Sequence, residues 1–263
     1  MTVRRLGSSV QRRIRGACIV FVSTLQVGCT VFMPAPTPMR SIEYSSPSQP
    51  AKCLFVLLPG RGDPAKRFQE AGFVEEMRTR DLSIDIRAVD APLGYYANGS
   101  LIDRLAADVI TPAKARGYQQ IWLAGPSMGG LGSLLYSYAH SADITGVLLI
   151  APFLGDRKLI EEIAAAGGLE HWRAPPRADA VGPDNYQREL WRWLQAVTQG
   201  REAAPAIYLG YGSSDRLSRM DALLADALPA SRVFVTSGGH EWPAWRRILA
   251  SFLQSPEFAT RCR

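Results

Sequence analysis

The chain reads as an α/β protein built on a mostly parallel sheet flanked by helices, and three observations carry that reading. Short apolar runs of buried-strand length alternate along the chain with segments of helical spacing. Several of these runs stop abruptly in glycine, proline or serine, as strands do when they give way to a crossover connection. With 263 residues, 47% of them hydrophobic, the chain can bury a sizeable core as one domain.

Taken in order, Arg40 to Tyr44 is a candidate edge strand, and Cys53-Leu54-Phe55-Val56-Leu57-Leu58 is a continuous apolar strand closed by Pro59-Gly60-Arg61-Gly62. Arg67 to Arg78 is helical, Ser83 to Val89 alternates as a strand, and Ser100 to Lys114 is a helix interrupted near Pro112. A strand at Ile121 to Ala124 enters a glycine-flanked turn, and a helix then runs to about His140. Gly146 to Ala151 is the next buried strand. Between residues 156 and 204 the rhythm breaks into an insertion with two helical pieces, Leu159 to Ala165 and Tyr186 to Val197, expected as a small helical lid. Its Trp191 and Trp193 either line an acyl pocket or pack on the core, and packing is the preferred role. Strand, helix, strand and helix then follow at Ala206 to Leu209, Met220 to Ala227, Arg232 to Thr236 and Trp245 to Leu253.

The formal charge of +6 does not point to nucleic acid. Arg4, Arg5, Arg12, Arg13 and Arg15 account for five of the six charges, and no acidic residue precedes residue 34. No basic patch interleaved with aromatics follows, so nucleic acid is not an expected partner. These arginines precede an uncharged stretch, Gly16 to Met33, the pattern of an export signal or membrane anchor. Leu25-Gln26-Val27-Gly28-Cys29 resembles a lipoprotein cleavage site with Cys29 as the residue to be acylated, although Gln26 departs from it. Uncleaved anchoring competes with that reading. The expected organisation is therefore a leader over 1–33, a Pro/Ser-rich tether over 34–50 and a domain over 51–263, exported and attached to the membrane on the extracytoplasmic side. Cys18 and Cys29 belong to the leader. Cys53 and Cys262 remain, free to pair in an oxidising compartment but forming no disulfide framework, and no zinc spacing occurs.

The chemistry centres on Gly125-Pro126-Ser127-Met128-Gly129, where a buried strand turns into a helix. Glycines two residues to either side of Ser127 let strand and helix approach closely. The helix N-terminus aims backbone N–H groups at the space above the hydroxyl, where an oxyanion would form. A serine hydroxyl needs a base, and the chain holds three histidines. His140 ends the helix that follows Ser127, and His171 lies in the irregular insertion. His240, in the glycine loop Ser237-Gly238-Gly239-His240, follows a strand and is the candidate base. Asp215, in Gly210-Tyr211-Gly212-Ser213-Ser214-Asp215, is the candidate acid. Asp156 is the alternative, set second because one strand and a short loop join Asp215 to the histidine loop.

The serine turn, the order Ser127, Asp215, His240 and the glycine loop after the first buried strand together resemble the α/β-hydrolase superfamily of serine esterases, lipases and thioesterases over roughly residues 52 to 256. The resemblance implies an acyl-enzyme mechanism on a small-molecule ester or thioester, with no metal or organic cofactor. It also implies an oxyanion hole from the backbone N–H groups of Arg61 and Met128, in a loop where many members carry His-Gly and this chain carries Gly60-Arg61. Acyl transfer by the same residues, and a binding module without turnover, are the competing readings. Oligomeric state is open.

Overall fold

The computed structural model describes residues 34–47, 50–80 and 82–263. The expected leader and Cys29 lie outside the described residues. Seven strands form one sheet: β1 (Ser41–Tyr44), β2 (Cys53–Leu57), β3 (Ile84–Val89), β4 (Gln120–Pro126), β5 (Gly146–Ile150), β6 (Ala206–Gly212) and β7 (Val233–Thr236). Their spatial order is β1-β3-β2-β4-β5-β6-β7. Only β1, paired with β3, is antiparallel; every other neighbour pair is parallel. The mostly parallel α/β architecture is as the alternating pattern predicts.

Helices cover both faces: α1 (Arg67–Glu70), α2 (Phe73–Arg78), α3 (Leu93–Ala97), α4 (Leu101–Leu105), α5 (Thr111–Ala115), α6 (Met128–Ala139), α7 (Arg157–Ala165), α8 (Tyr186–Thr198), α9 (Ser218–Ala225), α10 (Trp242–Phe252) and α11 (Pro256–Cys262). Because side chains alternate along a strand, each central strand feeds two cores. Leu54, Val56, Leu123, Leu149 and Leu209 join Leu134, Trp191 and Trp193 on one side. Phe55, Leu57, Trp122, Leu148 and Tyr208 join Phe68, Phe73, Phe252 and Phe258 on the other. Covered on both faces, the strands read as unbroken apolar runs, so periodicity alone says little about which face each residue takes.

Local departures from the expected elements have local causes. Gly72, at φ +79°, divides Arg67–Arg78 into α1 and α2. Before Pro112, which has no N–H to donate, the backbone widens into a π turn over Ala106–Ile110 that joins α4 to α5. Within the stretch expected as a tether, Met39 is buried and its N–H donates to Asp108 at 2.8 Å, Pro36 O accepts from Tyr95, and β1, the edge strand expected at Arg40 to Tyr44, completes the sheet edge. Prolines favour extended chain, and extended chain docks along an edge as readily as it spans a gap.

The insertion after β5 is anchored in the core. Trp191 is fully buried and its indole N–H donates to Leu154 O at 2.7 Å; Trp193 packs edge-on against Tyr138 of α6. Both tryptophans are core residues, which removes them as lining for an acyl pocket. Cys53, the first residue of β2, and Cys262, the last of α11, form a disulfide across 209 residues of sequence. Among the described residues no helix is long and apolar enough to cross a membrane.

Candidate active site

Ser127 stands at the carboxyl end of β4, immediately before α6, with φ 54° and ψ −115°, a conformation that costs a non-glycine residue energy. The surrounding backbone holds it there. Ser127 N–H donates to Ile150 O of β5 at 2.9 Å, and its carbonyl accepts from Phe153 and Leu131, both at 3.1 Å. Glycine is required on both sides for a steric reason. A Cβ on Gly125 would lie 2.3 Å from Leu58 O, and one on Gly129 would lie 2.0 Å from the same oxygen. The end of β2 thus presses against the turn, and only hydrogen atoms fit between them.

That close approach brings the Pro59-Gly60-Arg61-Gly62 loop beside the serine: a Cβ on Gly60 would meet Ser127 Cβ at 3.9 Å. Asp63 N–H donates to Gly60 O at 3.2 Å and Gly62 sits at φ +88°, closing a turn. Among the described residues the backbone N–H groups of Arg61 and Met128 donate to nothing. A half-buried tyrosine steadies the start of α6, where Tyr96 Oη donates to Met128 O at 2.8 Å. Burial pushes the Tyr96 phenol far above its ordinary value, so it remains a donor. Nothing in the sequence singled Tyr96 out, because α3 is one short turn with no periodic signal.

Asp215 and His240 are brought together by two loops at the carboxyl ends of β6 and β7. Ser213 N–H donates to Thr236 O at 2.7 Å and Ser214 N–H to Gly238 O at 2.9 Å. A Cβ on Gly212 would lie 2.3 Å from Gly238 O, so here too backbone packs on backbone. His240 Nδ1 lies 3.0 and 2.9 Å from the two carboxylate oxygens of Asp215, and Asp215 Oδ1 also accepts from Leu217 N–H at 2.8 Å. Trp245 meets the imidazole edge-on, ring centroids 5.0 Å apart. Burial is the largest influence on the ring and holds its pKa below the ordinary 6.5, with Arg216 adding to the effect and Asp215 opposing it. The ring is therefore neutral at pH 7. With Nδ1–H given to Asp215, the Nε2 lone pair is free to accept a proton.

Asp156, the alternative acid, does something else: it caps α7, accepting from Leu159 N–H at 2.9 Å. His140 ends α6 against Tyr136, and His171 is exposed. Ser127 Oγ and His240 are not hydrogen-bonded to each other in this structure, and contacts of this kind often tighten only when substrate is bound. Among the described residues no cluster of His, Cys, Asp and Glu could hold a metal ion.

The seven-strand sheet is mostly parallel and flanked by helices on both faces. The fold is that of the α/β-hydrolases. Solved structures match it at low identity. S-formylglutathione hydrolase (FrmB) from Staphylococcus aureus aligns at 15% identity over 84% of this chain and 98% of its own, TM-score 0.54. A fluorophosphonate-binding serine hydrolase of Staphylococcus aureus, with substrate bound, aligns at 15% over 82% and 97%, TM-score 0.55. Est1E from Butyrivibrio proteoclasticus, with ferulic acid bound, aligns at 15% over 82% and 94%, TM-score 0.53. No protein-family model matches the chain. No curated protein matches it at a significant level.

Proposed function

We propose that the protein is a serine hydrolase that cleaves a small carboxylic ester or thioester through Ser127, His240 and Asp215. The observation that carries this reading is the Asp215–His240 pair: a neutral imidazole held by a carboxylate, on the same sheet edge as a strained serine. His240 takes the Ser127 proton as the hydroxyl attacks the acyl carbon. Asp215 holds the ring and stabilises its cationic form. The developing oxyanion is received by the N–H groups of Arg61 and Met128, each of which is worth ~3 kcal/mol of transition-state stabilisation in such sites. The leaving alcohol or thiol departs with the proton from His240, and water repeats the cycle to free Ser127. Esterases among the fold's neighbours support a small ester substrate.

The lowered His240 pKa gives this reading a pH signature. A base must be neutral to act, so kcat/KM falls on the acid side at a pH below 6.5. Folded-state stability contributed by that group is present above pH 6.5 and is lost as pH falls through the lowered value. Labelling with a fluorophosphonate probe tests the assignment: wild type is labelled and Ser127→Ala is not. A wild type that stays unlabelled, or a Ser127→Ala variant that labels equally, removes Ser127 from the mechanism.

Export and membrane attachment belong to the same proposal. The arginine-led apolar leader supports it, as does a disulfide that forms and persists outside a reducing cytoplasm. Palmitate incorporation into wild type but not Cys29→Ser is the expected result; equal incorporation removes Cys29 as the acylated residue.

A further inference from the structure

Among the buried carboxyls of the described residues that the proposed chemistry does not use, Asp221 stands out. Asp221 lies in the first turn of α9, the helix that follows the Asp215 loop, and it is fully buried. Neither of its oxygens has a hydrogen-bond partner. The ionisable groups facing it are Asp215, from the preceding loop, and Tyr211, from β6. The buried residues of α7, which packs against α9, are Leu159, Ile160 and Ile163, all apolar. Among the described residues no cation acts on it to balance a charge, and an ionised carboxylate without a partner is among the costliest groups to bury.

We propose that Asp221 is held neutral, keeping its proton because both of its oxygens are fully buried and without a hydrogen-bond partner beside the Asp215 loop. It is a positioning residue that acts on His240 through Asp215, and that role rests on the triad reading above; its protonation state does not. Burial first, and the Asp215 charge second, push the Asp221 carboxyl well above the ordinary 3.8. The sign for stability follows. A raised native pKa means that the unfolded chain loses this proton first, so Asp221 costs stability increasingly as pH rises above 3.8, up to its native value.

Three readouts on wild type and Asp221→Asn test the proposal. Infrared difference spectra at pH 7 are expected to show a protonated-carboxyl band in wild type that is lost in Asp221→Asn. Thermal melts are expected to place the variant above wild type at pH 8, with the gap closing toward pH 4. Fluorophosphonate labelling is expected to keep its acid limb within about 0.2 pH unit of wild type in the variant. Absence of the band in wild type overturns the proposal without need of any variant. So does an acid limb that moves down by half a unit or more, the mark of an ionised neighbour removed. If neither protein labels, the triad reading falls and the positioning role with it, while spectra and melts still decide where the proton is.

Discussion

The two halves of the candidate site both rest on close backbone packing and backbone hydrogen bonds, but they fix the reacting side chain differently, by a strained backbone angle at Ser127 and by a carboxylate partner at His240. Around Ser127 the backbone is held by exclusion: Gly125 and Gly129 leave no room for a Cβ against Leu58 O, and a non-glycine residue is kept at positive φ. Around Asp215 and His240 the two loops are tied by hydrogen bonds, Ser213 to Thr236, Ser214 to Gly238 and Asp215 to His240. The first half stores strain, and the second stores directed polar contacts. Damage to the first should therefore appear as lost stability, and damage to the second as lost turnover in a folded protein.

The largest effect tests the polar half. His240→Ala is expected to lower kcat by ~10⁴-fold or more with its melting temperature within a few degrees of wild type; steady-state kinetics beside calorimetry would check this. Wild-type turnover would remove His240 from the mechanism. Next, Gly129→Ala attacks the strained half. A Cβ 2.0 Å from a backbone carbonyl oxygen forces β2 away from α6, a loss of more than about 3 kcal/mol in denaturant titration. A change near zero would mean that the turn is softer than its packing implies.

The disulfide lies outside both halves and calibrates them. Removing it with Cys53→Ser and Cys262→Ser together is expected to cost about 2–5 kcal/mol and to leave kcat unchanged at temperatures where the variant is folded. A fall in kcat in that folded variant would show that the clamp reaches the site. The smallest effect concerns strain itself. Ser127→Gly and Ser127→Ala both lack the hydroxyl, but only glycine relieves the positive φ, so the glycine variant is expected to be the more stable by about 1 kcal/mol. Equal stability would show that the backbone at residue 127 is not strained.

The strained half was the legible one. Gly-x-Ser-x-Gly after an apolar run is a local pattern, and its cause, the absence of side chains at two positions, is written in the residues themselves. The central strands were legible for the same reason. Asp215 and His240 could be ranked from loop and order, because each follows a strand that pairs with its neighbour, β6 with β7. What could not be read depends on distant partners. Nothing local distinguishes Asp221 from a solvated helix aspartate, and only the packing of α9 buries it. The Cys53–Cys262 bond, the Tyr96–Met128 contact and the docking of residues 34–47 likewise join parts of the chain that no period connects. The tryptophans of the insertion carry the same lesson: an amphipathic helix announces that it will bury a face, but not against what.

The central claim is that one hydroxyl, one imidazole and two backbone N–H groups converge on a reacting acyl centre. A crystal structure of the phosphonate adduct measures that convergence directly. The account predicts phosphorus bonded to Ser127 Oγ, its oxygen about 2.7–3.1 Å from the N–H nitrogens of both Arg61 and Met128, and His240 Nε2 within about 3.2 Å of an adduct oxygen. Phosphorus on another residue, or an adduct on Ser127 with the His240 ring still out of hydrogen-bonding reach, would contradict it.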